Sequence, residues 1–338
     1  MIQQQGVSVT AAIRSYRSTV RPLMRAVIVE SARAALEYEP DVLVAHPKVL
    51  SAGLVATSLG IPHALVEIVP AMTPTNAFPA AGTSSRDLGR FNRYTYRAAS
   101  AGAAMFRQDL RDVSRLIGWT QGPTAPPAAT LLPISAGVLD RPAEWPQTAH
   151  LTGAWTVDRE VSLDAETAGF IAGGDFVYAG FGSMAAGDPR TRAREVIGGI
   201  RAAGFRALVA TGLGGLEVPP ELRGDDVHVT GSVAHTAVLP SAAAAVHHGG
   251  IGTVHAATAA GAVSVLAPFI ADQPFWGARL HEKGLAPVPI PQRRLTADRL
   301  SAALGAVENF RPAVRAAAGT MAQEDGTGSA LRIIDGLG

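Results

Sequence analysis

The chain has 338 residues, of which 47% are hydrophobic and 17% charged, so it can bury two ordinary domains. Its net charge of +1 is too balanced to indicate nucleic acid or an acidic surface as a partner, and the absence of cysteine excludes disulfides and thiolate metal sites. Apolar runs such as 263–271 are far shorter than a membrane-spanning helix, and the first 17 residues lack the features of a signal peptide. We therefore expect a cytoplasmic protein without stable membrane insertion.

The first half of the chain is predicted to contain a βαβ unit. A helix is expected over 9–37, with Pro22 as a break or kink. A strand over 41–46, a helix over 48–59 and a strand over 63–68 follow, and this order implies a parallel sheet. The remainder is expected to form a proline-rich loop (69–83), helices (within 86–116) and a third short strand (129–133).

The segment RPAEWPQ (141–147) is interpreted as an interdomain linker because it is polar and rich in proline. It divides the chain into two expected domains, 1–145 and 146–338. In the second domain strands alternate with helices, which predicts a doubly wound α/β fold. Strands are expected over 176–181, 207–211, 227–230, from 245 and over 263–268, and helices over 190–203, 235–239, 295–308 and 310–324.

A glycine-rich turn between a strand and a helix is the clearest functional feature. The turn reads HHGGIGT (247–253) and precedes a segment of good helix formers. Its glycines allow close backbone approach to a ligand, and the helix start offers unpaired N–H groups and a positive dipole end. His248 and Thr253 add side-chain donors. The turn therefore suits an anion such as a diphosphate, although by itself it is equally compatible with ordinary turn chemistry.

The wider pattern is more specific. HHGGxGT, a small-residue helix and then P-F-x-x-D-Q-x-x-W-G resemble the nucleotide-sugar signature of family 1 glycosyltransferases of the GT-B fold, especially the sterol-glucosyltransferase-like and actinobacterial natural-product group. The chain departs from the group at Ile251, where alanine is frequent, and at 262–263, where Gly-x-Pro is common. The resemblance implies two Rossmann-like doubly wound domains that face a crevice, the N-terminal one binding the acceptor and the C-terminal one the nucleotide sugar.

The resemblance also implies that the N-terminal domain is incomplete. Members of the family begin with a strand, a glycine loop and further βα units, whereas this chain opens on a helix. We expect either a misplaced start codon or a natural truncation. The family's catalytic base is a histidine or aspartate in that first loop, so the catalytic residue here is unknown. His46, at the end of a predicted strand, is the remaining candidate, followed by Glu67.

The expected donor is a UDP- or dTDP-sugar, bound without a metal or another cofactor. By position in the motif, the donor-binding residues are Ser183, Val233, His248, Gly249, Gly250, Gly252, Thr253, Asp272 and Gln273. The resemblance assigns the diphosphate to Ser183 and the HHGGIGT turn, the nucleobase to the Val233 backbone, and the hexose hydroxyls to Asp272 and Gln273. Structural alternatives remain open: a strand cap for His248, core packing for Val233 and a solvated pair for Asp272–Gln273. His247 is expected to pack against the sheet.

The acceptor pocket is expected between the domains, walled by 69–78 and the helix around 90–105. Proline, methionine and phenylalanine there suit an apolar alcohol such as a sterol or polyketide. The candidate contacts are Pro70, Met72, Phe78 and Trp276, although core packing is an equal alternative for Trp276.

These features together predict inverting, metal-independent transfer of a hexose to a hydroxyl of an apolar acceptor. A non-catalytic nucleotide-sugar-binding remnant and a GT-B-like epimerase are the alternatives. The oligomeric state stays open.

Overall fold

The computed structural model describes residues 16–119, 122–156, 162–184 and 186–338. Within them the strands form two fully parallel sheets. The first contains β1 (Leu43–Ala45), β2 (His63–Val66), β3 (Ala129–Leu132) and β4 (Ala149–Leu151), in that spatial order. The second contains β5 (Phe176–Gly180), β6 (Arg206–Ala210), β7 (Val227–Thr230), β8 (Ala244–His247) and β9 (Val263–Leu266). Its spatial order is β7-β6-β5-β8-β9, which is the doubly wound arrangement predicted from the sequence.

Helices provide the crossovers that parallel strands require. They are α1 (Arg21–Tyr38), α2 (Ala52–Leu59), α3 (Asn92–Ala101), α4 (Arg107–Leu116), α5 (Ala165–Ala172), α6 (Pro189–Ala202), α7 (His235–Val238), α8 (Ile251–Ala259), α9 (Gln273–Glu282), α10 (Ala297–Gly305), α11 (Arg311–Ala322) and α12 (Gly326–Asp335). The break predicted at Pro22 is present: a π-helical turn (Tyr16–Val20) ends where α1 begins at Arg21, and Pro22 lies in the first turn of α1. Residues 9–15 of that predicted helix lie outside the described residues.

The second sheet is covered by helices on both faces. Alternate side chains of a strand point to opposite faces, and in β5 they enter different hydrophobic clusters. Val177 and Ala179 join the cluster that includes residues of α6 and α10, whereas Phe176 and Tyr178 join the cluster of α7, with α5 packed against it. Burial on both faces explains why the strands are continuous apolar runs, which made them readily predictable from sequence.

The linker predicted over 141–147 is wrong, because this segment packs within the first half of the chain. Trp145 is 3% exposed. The Arg141 guanidinium donates hydrogen bonds to the carbonyl oxygens of Trp145 and Pro146. The chain then enters β4, which pairs with β3 and extends the first sheet.

The last helix also packs against the first sheet. Ala330 of α12 is buried with Ala64 and Leu131, and Ile333 and Ile334 contact the same cluster. The chain therefore returns from the second sheet to the first at its end. The domain boundary expected between residues 145 and 146 stays a prediction, but β4 and α12, which both follow it, belong with the first sheet.

Three aromatic rings join the two halves. Phe78 meets the ring of Trp145 edge-on, with ring centroids 6.0 Å apart, and meets the ring of Phe275 at 5.5 Å. Phe275 lies on α9, which follows the second sheet, and is 1% exposed. The largest hydrophobic cluster consequently runs through both halves and sets the position of the 69–83 loop relative to α9.

Phe275→Ala tests this junction. Truncation of a buried aromatic ring loses its transfer free energy and leaves a cavity, so we expect the free energy of unfolding to fall by about 3–5 kcal/mol in urea denaturation. Phe91→Ala removes a ring that is 55% exposed and is the matched control, with an expected loss below about 1 kcal/mol. Equal losses for the two variants would contradict the packing described for Phe275.

Candidate functional site

The candidate site lies where the strand order of the second sheet reverses. β6 flanks β5 on one side and β8 flanks it on the other, so the loops after β5 and β8 leave the sheet in opposite directions and open a crevice. Gly180 at the end of β5 is paired in register with His247 at the end of β8. Of the donor-binding residues predicted from the sequence, Ser183 follows β5 and the glycine-rich turn follows β8, while Val233 follows β7 and the pair Asp272–Gln273 follows β9.

The turn from β8 into α8 has space for glycine alone at two positions. Gly249 has a φ of 90°, and a Cβ there would lie 2.9 Å from Cδ2 of Leu266. A Cβ on Gly250 would lie 2.7 Å from Nε2 of His248. Both distances are below ordinary contact, so any side chain at these positions would displace its neighbours. The turn therefore requires glycine at both positions.

His247 fixes this turn from beneath. Its side chain is fully buried, its Nδ1 accepts the N–H of Gly249 at 3.1 Å, and its Nε2 lies 2.9 Å from the Ser264 hydroxyl on β9. Burial lowers the pKa of His247 to about 3, so the ring is neutral and Nε2 carries the proton donated to Ser264. The predicted packing of His247 against the sheet is confirmed.

His248 faces the crevice. Its ring covers Gly250, and its Nδ1 is buried without a hydrogen-bond partner among the described residues. Burial lowers the pKa of His248, while the nearby negative charge of Asp272 opposes that shift. The imidazole is therefore neutral near pH 7 and has one N–H to donate. An unpaired buried nitrogen is costly, and a ligand that supplies its partner would recover that cost.

The start of α8 supplies further donors. Gly250 is the N-cap residue and offers no side-chain hydrogen bond to the first turn. The first N–H groups of a helix have no partner within the helix, so this end attracts an anion. Gly252 is exposed and Thr253 is half-buried in that first turn.

The opposite wall of the crevice is the loop after β5. Ser183 is exposed there, and a Cβ on Gly182 would lie 3.8 Å from Cε1 of His248, so the two walls are in van der Waals range. The buried guanidinium of Arg192, on α6, donates to the carbonyl oxygens of Ala186 and Gly215. Arg192 therefore ties the loops after β5 and β6 together. Sequence analysis missed it, because an arginine in a helix normally indicates a solvated face.

Behind the crevice, Tyr178 and His235 form a buried polar pair. The Tyr178 hydroxyl lies 3.0 Å from Nε2 of His235, and burial raises the pKa of Tyr178 to about 12. Burial also lowers the pKa of His235, so both groups are neutral near pH 7. Val233, two residues before His235, is half-buried against the cluster that contains Tyr178. Its side chain therefore packs, and only its backbone remains for a ligand.

The segment after β9 is a short loop that ends at Asp272, the N-cap residue of α9. The Asp272 carboxylate accepts a hydrogen bond from Nε1 of Trp276 at 2.9 Å. Oε1 of Gln273 accepts the N–H groups of Phe269 and Ile270, and its Nε2 lies 3.3 Å from the sulfur of Met184. Gln273 is 5% exposed, and its contacts hold together the loops after β5 and β9.

Burial argues against three of the four predicted acceptor contacts, and for Trp276 it favours core packing, the alternative that the sequence left open. Trp276 is 0% exposed and Phe78 is 3% exposed, so neither ring offers a face to a ligand. Pro70 is also buried, whereas Met72 is exposed. The sequence identified apolar residues correctly but could not show which of them cover the core.

A groove of about 670 Å³ lies beside that loop, between Pro74 and the exposed face of α3. Its walls are Pro74, Arg93, Tyr94, Tyr96, Arg97 and Ala101. This volume is within the range of small-molecule sites. The groove lies beside 69–78 and the helix around 90–105, as predicted for the acceptor pocket, but its lining residues all come from the first half, so a pocket between the domains stays a prediction.

Neither candidate base lies free at the crevice. Oε1 of Glu67 accepts the N–H groups of Ala71, Met72 and Thr73, and Oε2 accepts the Thr73 hydroxyl, so this carboxylate anchors the loop. His46 follows β1, the strand farthest from β4 in the first sheet, and its Nδ1 accepts the N–H of Lys48. Burial and the Lys48 charge lower the pKa of His46. The interpretation of Glu67 as a base is therefore wrong.

Two properties concern the described residues as a group. No cluster of three or more histidine, aspartate or glutamate side chains among them has an arrangement that could hold a metal ion. No helix in the same ranges combines the length and apolarity needed to cross a membrane.

Known sequences share this arrangement. A family profile described as the erythromycin biosynthesis protein CIII-like C-terminal domain matches residues 217–329. The vancomycin aglycone glucosyltransferase of Amycolatopsis orientalis is 33% identical over 301 residues, which cover 83% of this chain and 70% of that protein. A sterol 3-beta-glucosyltransferase of Arabidopsis thaliana is 27% identical over 319 residues, which cover 88% of this chain and 49% of that protein.

Solved structures extend the comparison. The glycosyltransferase of kitacinnamycin superposes with a TM-score of 0.65 at 18% identity, over 99% of this chain and 86% of that one. SsfS6 of Streptomyces sp. SF2575, complexed with thymidine diphosphate, superposes with a TM-score of 0.58 at 19% identity, over 94% and 78%. These likenesses show the fold, and it is GT-B. The identity to the vancomycin aglycone glucosyltransferase over most of both chains shows more: this chain belongs to the family 1 glycosyltransferases.

A second buried histidine connects α8 to the first half of the chain. His255 is 8% exposed, and its Nε2 accepts the N–H of Ser135 at 3.3 Å. Burial lowers the pKa of His255 to about 4. The hydroxyl of Ser135 in turn donates to Glu324, just before α12. No sequence pattern indicated this connection, because its three members are far apart in the chain.

The buried histidines predict a pH dependence of stability. The pKa values of His247 and His255, about 3 and about 4, are lower in the folded than in the unfolded chain. The stability they contribute is therefore present above the unfolded value of about 6.5 and is lost as the pH falls through the folded values. Between about pH 6 and pH 4, each should lower the free energy of unfolding by about 1.4 kcal/mol per pH unit.

Urea unfolding between pH 7 and pH 4 measures this effect. His255→Gln should lose the slope due to one histidine, whereas His281→Gln, at an exposed position, should keep the full slope. Parallel stability curves for the original chain and His255→Gln would show that His255 is not held neutral by burial.

Proposed function

We propose that this chain transfers a hexose from a UDP- or dTDP-sugar to a hydroxyl of an apolar acceptor, with inversion and without a metal ion. The observation that supports this most directly is the packing of the loops after β5 and β9 against the turn from β8 into α8. The diphosphate would lie against the turn Gly249–Gly252, with Thr253 and the neutral His248 as side-chain donors and Ser183 on the facing wall. Val233 would contact the nucleobase through its backbone.

The chemistry required at this position is stabilisation of a leaving diphosphate. Negative charge grows on the oxygen that departs from the sugar, and preorganised N–H donors at a helix start counter it without rearranging. Removing one such donor typically costs about 2.7–4 kcal/mol of transition-state stabilisation. The N–H groups at the start of α8, together with Thr253 and His248, can stabilise the charge that a divalent cation would otherwise neutralise. This is the basis for proposing metal independence.

Asp272 and Gln273 would hold the hexose. One oxygen of Asp272 accepts the Trp276 indole N–H, which orients the carboxylate and leaves its other oxygen for a sugar hydroxyl. Nε2 of Gln273 contacts only a methionine sulfur, a weak acceptor that a hydroxyl can replace. Inversion requires the acceptor hydroxyl to attack from the side opposite the diphosphate, so the acceptor must enter from the first half of the chain.

The comparisons support the donor and acceptor classes only by analogy. One structural neighbour was solved with thymidine diphosphate, and the printed names of two relatives describe glucosyl transfer to an antibiotic aglycone and to a sterol. For this chain we place the acceptor in the groove beside α3, where Pro74 and the exposed ring of Tyr94 provide apolar surface.

The environments of Glu67 and His46, the two candidate bases, favour a second possible function. The oxygens of Glu67 are occupied by the loop, and His46 lies at the far side of the first sheet. A protein with this donor crevice and no base could bind the nucleotide sugar without transferring the hexose. Titration with UDP, dTDP and their glucose conjugates, run beside a transfer assay, distinguishes the two: binding with turnover supports the enzyme, and binding without turnover supports the non-catalytic function.

His248→Ala tests the diphosphate site. We expect a loss of UDP or dTDP affinity of about tenfold or more in calorimetric titration, because a charge-assisted hydrogen bond to a phosphate contributes about 1.5–3 kcal/mol. His281→Ala is the matched control, since His281 is exposed at the opposite end of α9. Circular dichroism checks that both variants are folded. Undiminished nucleotide affinity in folded His248→Ala would rule out the assigned contact.

Metal independence is tested by removal. After treatment with EDTA, the chain should keep its affinity for UDP or dTDP and any transfer activity, because the proposed stabilisation comes from N–H donors. Addition of Mg²⁺ or Mn²⁺ should change neither quantity by more than the effect of ionic strength. A requirement for either cation would contradict this part of the proposal.

A further inference from the structure

The groove beside α3 carries two positive charges that an apolar acceptor does not explain. Arg93 and Arg97 are four residues apart on α3, both are exposed, and both line the groove. Residues at this spacing lie on one face of a helix, about 5–6 Å apart at Cβ. Neither makes a salt bridge with any carboxylate in the ranges that the structure describes.

The surroundings leave the two guanidinium groups available. Arg97 lies over the ring of Tyr94 at 5.3 Å, an arrangement that orients the guanidinium and still leaves its N–H groups for a ligand. Hydrogen bonds from Asn76 and Thr75 lower the pKa of the Glu144 carboxyl, and the positive charge of Arg93 makes a smaller contribution in the same direction. Glu144 is itself bound by the hydroxyl of Thr75 and the N–H of Asn76. Its main role is therefore to hold the loop that forms the other wall.

The remaining walls of the groove are formed by Pro74, Tyr94, Tyr96 and Ala101. Pro74 stands on one side, and the ring of Tyr96 is anchored by a hydrogen bond from its hydroxyl to the carbonyl oxygen of Phe78 at 3.3 Å. A volume of about 670 Å³ accommodates a molecule with several rings. The combination of a flat apolar wall and a paired cationic edge is complementary to an amphiphile with one anionic end.

The groove is connected to the donor crevice through the packed core. Its loop wall continues to Phe78, whose ring contacts Phe275 on α9, and α9 begins with the residues proposed to hold the hexose. This packing joins the loop wall of the groove to α9. This places the two arginines on the acceptor side of the proposed reaction.

We propose that Arg93 and Arg97 bind a carboxylate or phosphate group of the acceptor, so that the acceptor is an anionic amphiphile with a hydroxylated apolar body. The interpretation of the groove as an acceptor site rests on the proposed function. Binding of an anionic ligand at the groove can nevertheless be tested without turnover. Each guanidinium presents a planar pair of donors that matches a carboxylate or phosphate. A neutral acceptor would leave both arginines solvated and would gain nothing from them.

The experiment uses cholate, a hydroxylated steroid with a carboxylate, and its neutral methyl ester, both below their micelle concentrations. Calorimetric titration of the full chain should show tighter binding of cholate than of the ester, by on the order of tenfold. In the double variant Arg93→Gln/Arg97→Gln, cholate affinity should fall to that of the ester. Added salt should weaken cholate binding to the original chain and leave ester binding unchanged.

The matched control is Arg107→Gln/Arg111→Gln, which removes the same charge, at the same spacing, from α4. Both of these arginines are exposed, so cholate affinity should be unchanged. Equal affinity for cholate in the Arg93/Arg97 and Arg107/Arg111 variants would overturn the proposal. Binding to anionic lipid vesicles that depends on Arg93 and Arg97, with no binding of monomeric cholate, would also overturn it, because the surface would then fit a membrane.

A parallel titration with dTDP and UDP separates this inference from the proposed function. All the arginine variants should keep the nucleotide affinity of the original chain. If cholate affinity does not depend on Arg93 and Arg97 while nucleotide binding is intact, only the acceptor inference is refuted. Failure of nucleotide binding in a folded chain refutes the proposed function, whatever the outcome with cholate.

Discussion

The close approach of backbone at the turn from β8 into α8 is the constraint on which the candidate site depends. Gly249 packs against Leu266, and Gly250 lies beneath the ring of His248, so the chain reverses direction in a space that excludes a Cβ. His247, buried and neutral, ties the same turn to β9. Since the turn is held from below, the N–H groups at the start of α8 point into the crevice without a rearrangement that binding would have to drive.

A second constraint concerns the two halves of the chain. The ring of Phe78 sits between Trp145 and Phe275, and His255 accepts a hydrogen bond from the segment after β3. Tightly packed interiors resist small displacements, so these contacts set the distance between the donor turn and the loop that borders α3. The groove beside α3 and the crevice at α8 are consequently parts of one framework. Under the proposed function, the groove would select the acceptor while the crevice would bind the donor.

The part of the site that could be predicted from sequence is the part that depends on local residue order. The glycines, His248 and Thr253 occur within one short stretch, and their spacing is imposed by the turn itself. The acceptor side was predicted less well, because Phe78 and Trp276 are apolar residues whose burial depends on distant partners. Arg192 and the His255–Ser135 contact gave no signal in the sequence. Each joins segments that are separated along the chain and meet only after the sheets form.

The sequence by itself determined the fold class, the order of the strands along the chain and the position of the donor turn, because buried parallel strands and glycine turns leave strong local patterns. Tertiary structure alone decided that 141–147 packs as part of the first half, that α12 returns to the first sheet, and that Trp276 covers the core. It also placed Arg93 and Arg97 on the wall of a groove. The physical reason is that burial and the pairing of charges depend on which segments meet in space, and a one-dimensional pattern does not contain that information.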